Sequence, residues 1–292
     1  MFTRLTTAAL AAATAAALAI APGAGASGTG ASSNRPTCGT TPHSRTVDVV
    51  GVTSDQRLIC FRADRPSRAR TIAAVTGLQT DTRLVGIDVR PATGVLYGLG
   101  EAGGIYTVNV DTAVATLVAR TNVALRGMSF SVDFNPVADR LRVVSDVGQN
   151  LAVNVADGTT ATQTDVAYTP GTPATGIVGS MYTNNDADPS TATTLFDVDS
   201  TLDQIAIQSP PANGTLVATG KLGVDTGTDV GADIYTKIRN GVTVSNTAYA
   251  AVSDSFGSSF ASVDVLTGKA TPNGDFSAAN RVTGIAIPLN QP

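Results

Sequence analysis

Arg281-Val-Thr-Gly-Ile-Ala-Ile-Pro288, near the C-terminus, repeats Arg83-Leu-Val-Gly-Ile-Asp-Val89, which lies some two hundred residues earlier. In between, the same kind of strand begins again near residues 128 and 178 and at Val230-Gly-Ala-Asp-Ile-Tyr235, a period of about fifty residues. Each copy opens a unit of short alternating runs. After Arg83–Val89 come Val95-Leu-Tyr-Gly-Leu99, Gly104-Ile-Tyr-Thr-Val-Asn-Val110 and Ala115-Thr-Leu-Val-Ala119. The runs are bounded by Thr-Gly, Gly-Gly and Asp-Thr, which are hairpin-turn signals.

The terminal copy stands alone, and the N-terminal end explains why. Val49-Val-Gly-Val-Thr-Ser-Asp-Gln-Arg-Leu-Ile-Cys-Phe-Arg-Ala-Asp64 aligns with Leu96-Tyr-Gly-Leu-Gly-Glu-Ala-Gly-Gly-Ile-Tyr-Thr-Val-Asn-Val-Asp111. The first unit thus begins at its second strand, and residues 281–288 supply the missing one. Four-stranded units of this length suit the blades of a propeller, and closure by both termini removes open sheet edges. The expected fold is all-β: a β-propeller of five four-stranded blades spanning residues 47–292, with the C-terminal strand pairing with the first blade. Composition agrees, because Gly, Thr, Val and Asp are abundant and all are poor helix formers.

The first 26 residues belong to a different kind of segment. Arg4, an apolar run from Ala8 to Ala21 and the small-residue end Gly23-Ala-Gly-Ala26 form an export signal, with cleavage expected after Ala26. The run is shorter than the roughly 20 residues a bilayer requires, so no membrane span is expected. The product is therefore expected outside the cytoplasm, as a monomer. Cys38 and Cys60, the only two cysteines, fit that compartment as a disulfide tying residues 27–46 to the first strands. Closing a loop of about twenty residues in this way is worth about 3 kcal/mol.

Composition also removes chemistries. His43 is the only histidine, so neither a His-based zinc cage nor a distributed set of imidazole bases can form. Two cysteines cannot hold an iron–sulfur cluster. There is no tryptophan, and the net charge without the signal is −5, which argues against a nucleic-acid partner. Charge is uneven: residues 27–142 sum to +4 and residues 143–292 to −9. The basic cluster Arg62, Arg65, Arg68 and Arg70 lacks interleaved aromatics and reads as a solvated loop and strand edge.

Several long motifs resemble a known family. They are Gly86-Ile-Asp-Val-Arg-Pro-Ala-Thr-Gly-Val-Leu-Tyr-Gly-Leu99, Val132-Asp-Phe-Asn-Pro136 with Asp139-Arg-Leu-Arg-Val-Val-Ser-Asp146, Tyr182-Thr-Asn-Asn185, Thr194-Leu-Phe-Asp197 and Gln208-Ser-Pro-Pro211. Over about residues 46–288 the chain is similar to the exported family of domain of unknown function 4394. The resemblance implies a secreted, propeller-like repeat domain and carries over no activity, substrate or catalytic residue.

Candidate sites follow from the residues alone. Asn184-Asn-Asp-Ala-Asp188 alternates like a calcium loop but lacks the EF-hand glycine and distal glutamate, so an Asn/Asp-rich turn is the stronger reading. Asp139, Arg140, Arg142 and Asp146 suggest an anion site or, more simply, cross-strand charge pairs. Asn213-Gly214 reads as a hairpin turn. One aligned position of the first strands reads Asp88, Asp133, Tyr182, Asp233 and Ala286. If these strands line the axis, Asp88, Asp133 and Asp233 converge there as a site for a hard cation such as Ca²⁺. The simpler alternative is that each carboxylate accepts backbone N–H groups at its strand end. No other cofactor is expected. Two functions remain: a non-enzymatic module binding a protein, glycan or envelope surface, favoured here, and a divalent-cation-dependent hydrolase or lyase using the axial carboxylates.

Overall fold

The structure, a computed structural model, describes residues 46–292 apart from Ala187, Asn290 and Pro292. The expected export signal and Cys38 lie outside the described residues; Cys60 is buried in the second strand of the first blade. Twenty strands form five four-stranded antiparallel sheets. The second blade comprises β4 (Leu84–Arg90), β5 (Val95–Gly100), β6 (Gly104–Val108) and β7 (Ala115–Arg120). The third comprises β8 (Phe130–Asn135), β9 (Arg140–Ser145), β10 (Asn150–Val153) and β11 (Thr160–Thr162). The fourth is β12 (Ile177–Tyr182), β13 (Leu195–Asp199), β14 (Gln204–Gln208) and β15 (Leu216–Lys221). The fifth is β16 (Asp229–Arg239), β17 (Val242–Ser253), β18 (Ser258–Val263) and β19 (Ala270–Asp275).

The first blade joins the two ends of the chain. It holds β1 (Asp48–Thr53), β2 (Arg57–Arg62), β3 (Arg65–Ala74) and β20 (Val282–Ala286), in the order β20-β1-β2-β3. Val50 lies opposite Ala286 and Gly51 opposite Ile285. The expected closure is therefore present, and the inner strands β20, β4, β8, β12 and β16 adjoin one another in a ring. The protein is a five-bladed β-propeller.

The inner strands are buried on both faces because each is covered by neighbouring blades; β4, β8, β12 and β16 are buried over most of their length, Asp88, Ser131, Asp133, Ser180 and Asp233 included. The outer strands alternate or are exposed, as along β3, where Arg65, Arg68 and Arg70 face solvent. Turns between strands are tied by one device. Asn109, Asn135, Asp199, Asp254 and Asp264 each accept two backbone N–H groups from the residues two and three positions on. This is why Asn and Asp recur at the strand ends.

Near the middle of the inner strands, Gly86, Ser131, Gly179, Gly231 and Gly284 form a collar around the axis. A Cβ at Gly231 would stand 2.5 Å from the Ile285 nitrogen, and one at Gly86 would stand 2.6 Å from Val132 Cγ2. Small residues are therefore required for five strands to converge. The space left inside the collar is about 10 Å³, room for one water.

Two expectations change. Asn213–Gly214 is no two-residue hairpin: a 3₁₀ turn over Pro211–Asn213 ends in Gly214 at φ 64°. The β16–β17 hairpin runs well past the blade, to Arg239 and Val242, and turns on Asn240-Gly241, both at positive φ, a two-residue hairpin turn that the sequence reading did not use. Among the described residues no helix is long and apolar enough to cross a membrane.

Candidate functional site

Asp88, Asp133 and Asp233 come together on the axis, beyond the collar. One carboxylate oxygen from each lies within 4.8 Å of the others, and all three residues are buried. The geometry also shows what holds them. Asp88 accepts from its neighbour Val89 N (2.7 Å) and, across the seam, from Phe134 N of β8 (2.7 Å). Asp233 does the same with Ile234 N (2.5 Å) and Ile287 N (2.6 Å), and Asp133 accepts from Tyr182 N (3.2 Å). Each carboxylate thus latches its blade to the backbone of the next one.

This pattern corrects the alignment. The collar residue lies two positions before the carboxylate at Gly86/Asp88, Ser131/Asp133 and Gly231/Asp233, so the equivalent of Gly179 is Met181, not Tyr182. The ring position reads Ala286, Asp88, Asp133, Met181, Asp233. Tyr182 instead accepts from Arg142 Nε through its hydroxyl.

Electrostatically the three acids resist ionisation together. Burial raises all three; the charge of Asp233 adds to this at Asp88, and those of Asp88 and Asp233 at Asp133. Either protons or a cation relieves the repulsion. A hard ion with oxygen ligands at 2.3–2.6 Å spans opposite ligands by about 5 Å, which the cluster matches. The six carboxylate oxygens already receive five backbone N–H bonds, so both arrangements anticipated from the sequence use the same atoms.

Other anticipated residues are not gathered into a site. Asp139 pairs with Arg90 on the neighbouring blade rather than with Arg140 or Arg142. Asp146 caps Met128 N. Asn184 is in a turn at φ 60°, and Asp186 is bonded to Thr243 of the β16–β17 hairpin.

A second region had no sequence expectation. On the face where the inner strands begin, Val224 and Asp225, residues between 252 and 259 and residues between 275 and 281 line a groove of about 700 Å³. Its floor includes Val224, Val252 and Phe276, and its rim carries Asp225 and Asp275. Phe256 stands on the β17–β18 turn with 96% of its surface exposed. The turn is braced by Asp254 Oδ1, which accepts from Phe256 N (2.7 Å) and Gly257 N (2.9 Å). An aromatic residue at the centre of Asp254-Ser-Phe-Gly257 was the available signal, because such turns ordinarily carry polar residues.

A family model described as domain of unknown function (DUF4394) matches residues 57–286. No curated protein matches the chain. Among solved structures, TolB from Acinetobacter baumannii aligns at 12% identity over 84% of this chain and 67% of its own, with a TM-score of 0.44. A protein of unknown function from Bacteroides thetaiotaomicron aligns at 12% identity over 79% and 58%, with a TM-score of 0.43. An auxiliary nutrient binding protein from Bacteroides ovatus aligns at 14% identity over 61% and 48%, with a TM-score of 0.38. The chain thus spans about half the length of that last protein.

Proposed function

The chain belongs to the DUF4394 family, a domain of unknown function, and on that premise we propose that it is a non-enzymatic binding propeller whose ligand occupies the groove beside Phe256. One observation carries this reading: the groove of about 700 Å³ has a fully presented aromatic ring at its rim. That volume is in the range of ligand sites, and a phenyl ring held in water by a rigid turn contributes nothing to the core. The export signal expected from the sequence over residues 1–26 supports a role for such a module outside the cytoplasm. The test is a panel of immobilised glycans and peptides probed with the parent and with Phe256→Ser. At least one ligand should bind the parent ten-fold or more tightly than the variant. Binding that is equal for both proteins across the panel, or none at all, overturns the assignment.

The axial carboxylates support a structural cation rather than a hydrolase. The collar admits a single water from its side and the three acids are buried, which favours a small ion over a substrate. The specific observation in favour of the ion is the convergence of three carboxylate oxygens within 4.8 Å. Under this reading Ca²⁺ at millimolar concentration raises the melting temperature of the parent by several degrees. It does not do so for Asp88→Asn/Asp133→Asn/Asp233→Asn. A parent indifferent to calcium removes the site.

A further inference from the structure

We propose that the occupant of the groove is an extended peptide segment of another protein that carries lysine or arginine. The proposal rests on the binding role given to the groove above and names its ligand class. Charge decides between candidates. Asp225 and Asp275 are exposed on the rim and enter no ion pair among the described residues. The positive charge nearby is already consumed. Arg281 donates from Nε to Asp229 (2.5 Å) and from Nη1 to the Asp254 carbonyl (2.9 Å). Arg57, which reaches the same loop at Ala279 and Asn280, is paired with Asp55 at 2.8 Å. The groove therefore presents unneutralised carboxylates, which repel phosphorylated or acidic ligands and offer a neutral sugar hydrogen-bond acceptors but no ion pair.

The apolar parts fit the same ligand. Lysine and arginine lay an aliphatic stem on apolar surface while their charged heads reach outward, and here the floor is Val224, Val252 and Phe276 with carboxylates above it. The exposed face of Phe256 attracts a cation through its ring quadrupole. At longer range, the charge of −9 over residues 143–292 steers a basic partner to this side of the ring. A groove of about 700 Å³ holds several residues, not one side chain.

The chain has no tryptophan, so a tryptophan in the probe reports binding without background. The probes are the capped peptides Gly-Lys-Trp-Lys-Gly and Gly-Glu-Trp-Glu-Gly, with neutral oligosaccharides as a third arm. The basic peptide should bind at least ten-fold more tightly than the acidic one, and its affinity should fall steeply with salt. Asp225→Asn/Asp275→Asn should weaken it about ten-fold and flatten the salt dependence, and Phe256→Ser should weaken it in all salts. These side chains are exposed, and an unchanged melting temperature verifies that the variants fold. Equal binding of both peptides, or binding untouched by the double substitution, overturns the cationic ligand. Phe256-dependent binding confined to oligosaccharides also overturns it, while leaving the groove as the binding site. No Phe256-dependent binding by any probe overturns both.

Discussion

The seam between the fourth and fifth blades and the seam between the third and fourth are built from opposite materials. The first buries thirteen apolar side chains, among them Met181, Phe196, Val198, Ile205, Val230 and Ile234. The second buries only six, from Val144 to Leu216, and fills the remainder with polar groups. There Arg142 donates to Asn150 (2.6 Å), Gln163 and the Tyr182 hydroxyl (3.2 Å). Ser131 meets Ser180 at 2.7 Å, and Ser180 donates to Asp197 at 2.6 Å. An apolar seam gains free energy in proportion to area and tolerates sliding. A buried polar seam gains little net energy but penalises every misfit, so it fixes how two blades face each other. It is also not fully satisfied: Asp197 Oδ2 and Gln208 Oε1 are buried with no hydrogen-bond donor.

The greatest disturbance should come from deleting residues 281–292. Without β20 the ring opens, a sheet edge is exposed and both seams lose their constraint, so scanning calorimetry should show no cooperative transition. A truncated protein that melts like the parent would mean that closure is irrelevant to either seam. Next in size is Phe196→Ala in the apolar seam, which should cost about 3–4 kcal/mol in denaturant titrations, equally at pH 5 and pH 8. Arg142→Met in the polar seam should cost about 2–3 kcal/mol by stranding the acceptors of Asn150 and Gln163. Arg142 also holds the Asp197 carboxyl down, so its loss should cost more at pH 8 than at pH 5; if the two losses responded alike to pH, the contrast between the seams would collapse.

Asp197→Asn should have the smallest effect and the opposite sign. Burial pushes this carboxyl up to about 7 from an ordinary value of 3.8. The folded state thus keeps a proton that the unfolded state releases. The stability linked to Asp197 is whole below about pH 4 and is lost as pH rises through 7. The asparagine variant should flatten that decline, with a gain on the order of 1–2 kcal/mol at pH 8. An unchanged pH profile would show that Asp197 does not titrate in this window.

The ring itself was legible because closure leaves a trace in one dimension: a strand orphaned at residues 281–288 and a unit at residue 49 that lacks it. The axial carboxylates were legible for the same reason, since a repeated fold returns one position to the axis five times. Taking the fourth inner strand from Val178 rather than Ile177 sets Tyr182, not Met181, level with Asp88; the collar residues are a truer anchor. The polar seam was not legible. Which side of β13 Asp197 faces depends on the neighbouring blade, and no local pattern encodes that. The groove was hidden for another reason, being assembled from three loops some thirty and twenty residues apart.

The carboxylate latches divide the circle unevenly. Asp88 binds the second blade to the third, Asp133 the third to the fourth, and Asp233 the fifth to the first. Met181 and Ala286 leave the other two junctions without one, and those junctions carry the two largest apolar clusters, thirteen residues each. Mechanically the molecule is then two jaws, one of three blades and one of two, joined by greased hinges. Under shear the blades should slide at those hinges before either jaw distorts. The amide protons of Phe134, Tyr182 and Ile287, locked inside the jaws, should be among the last to exchange.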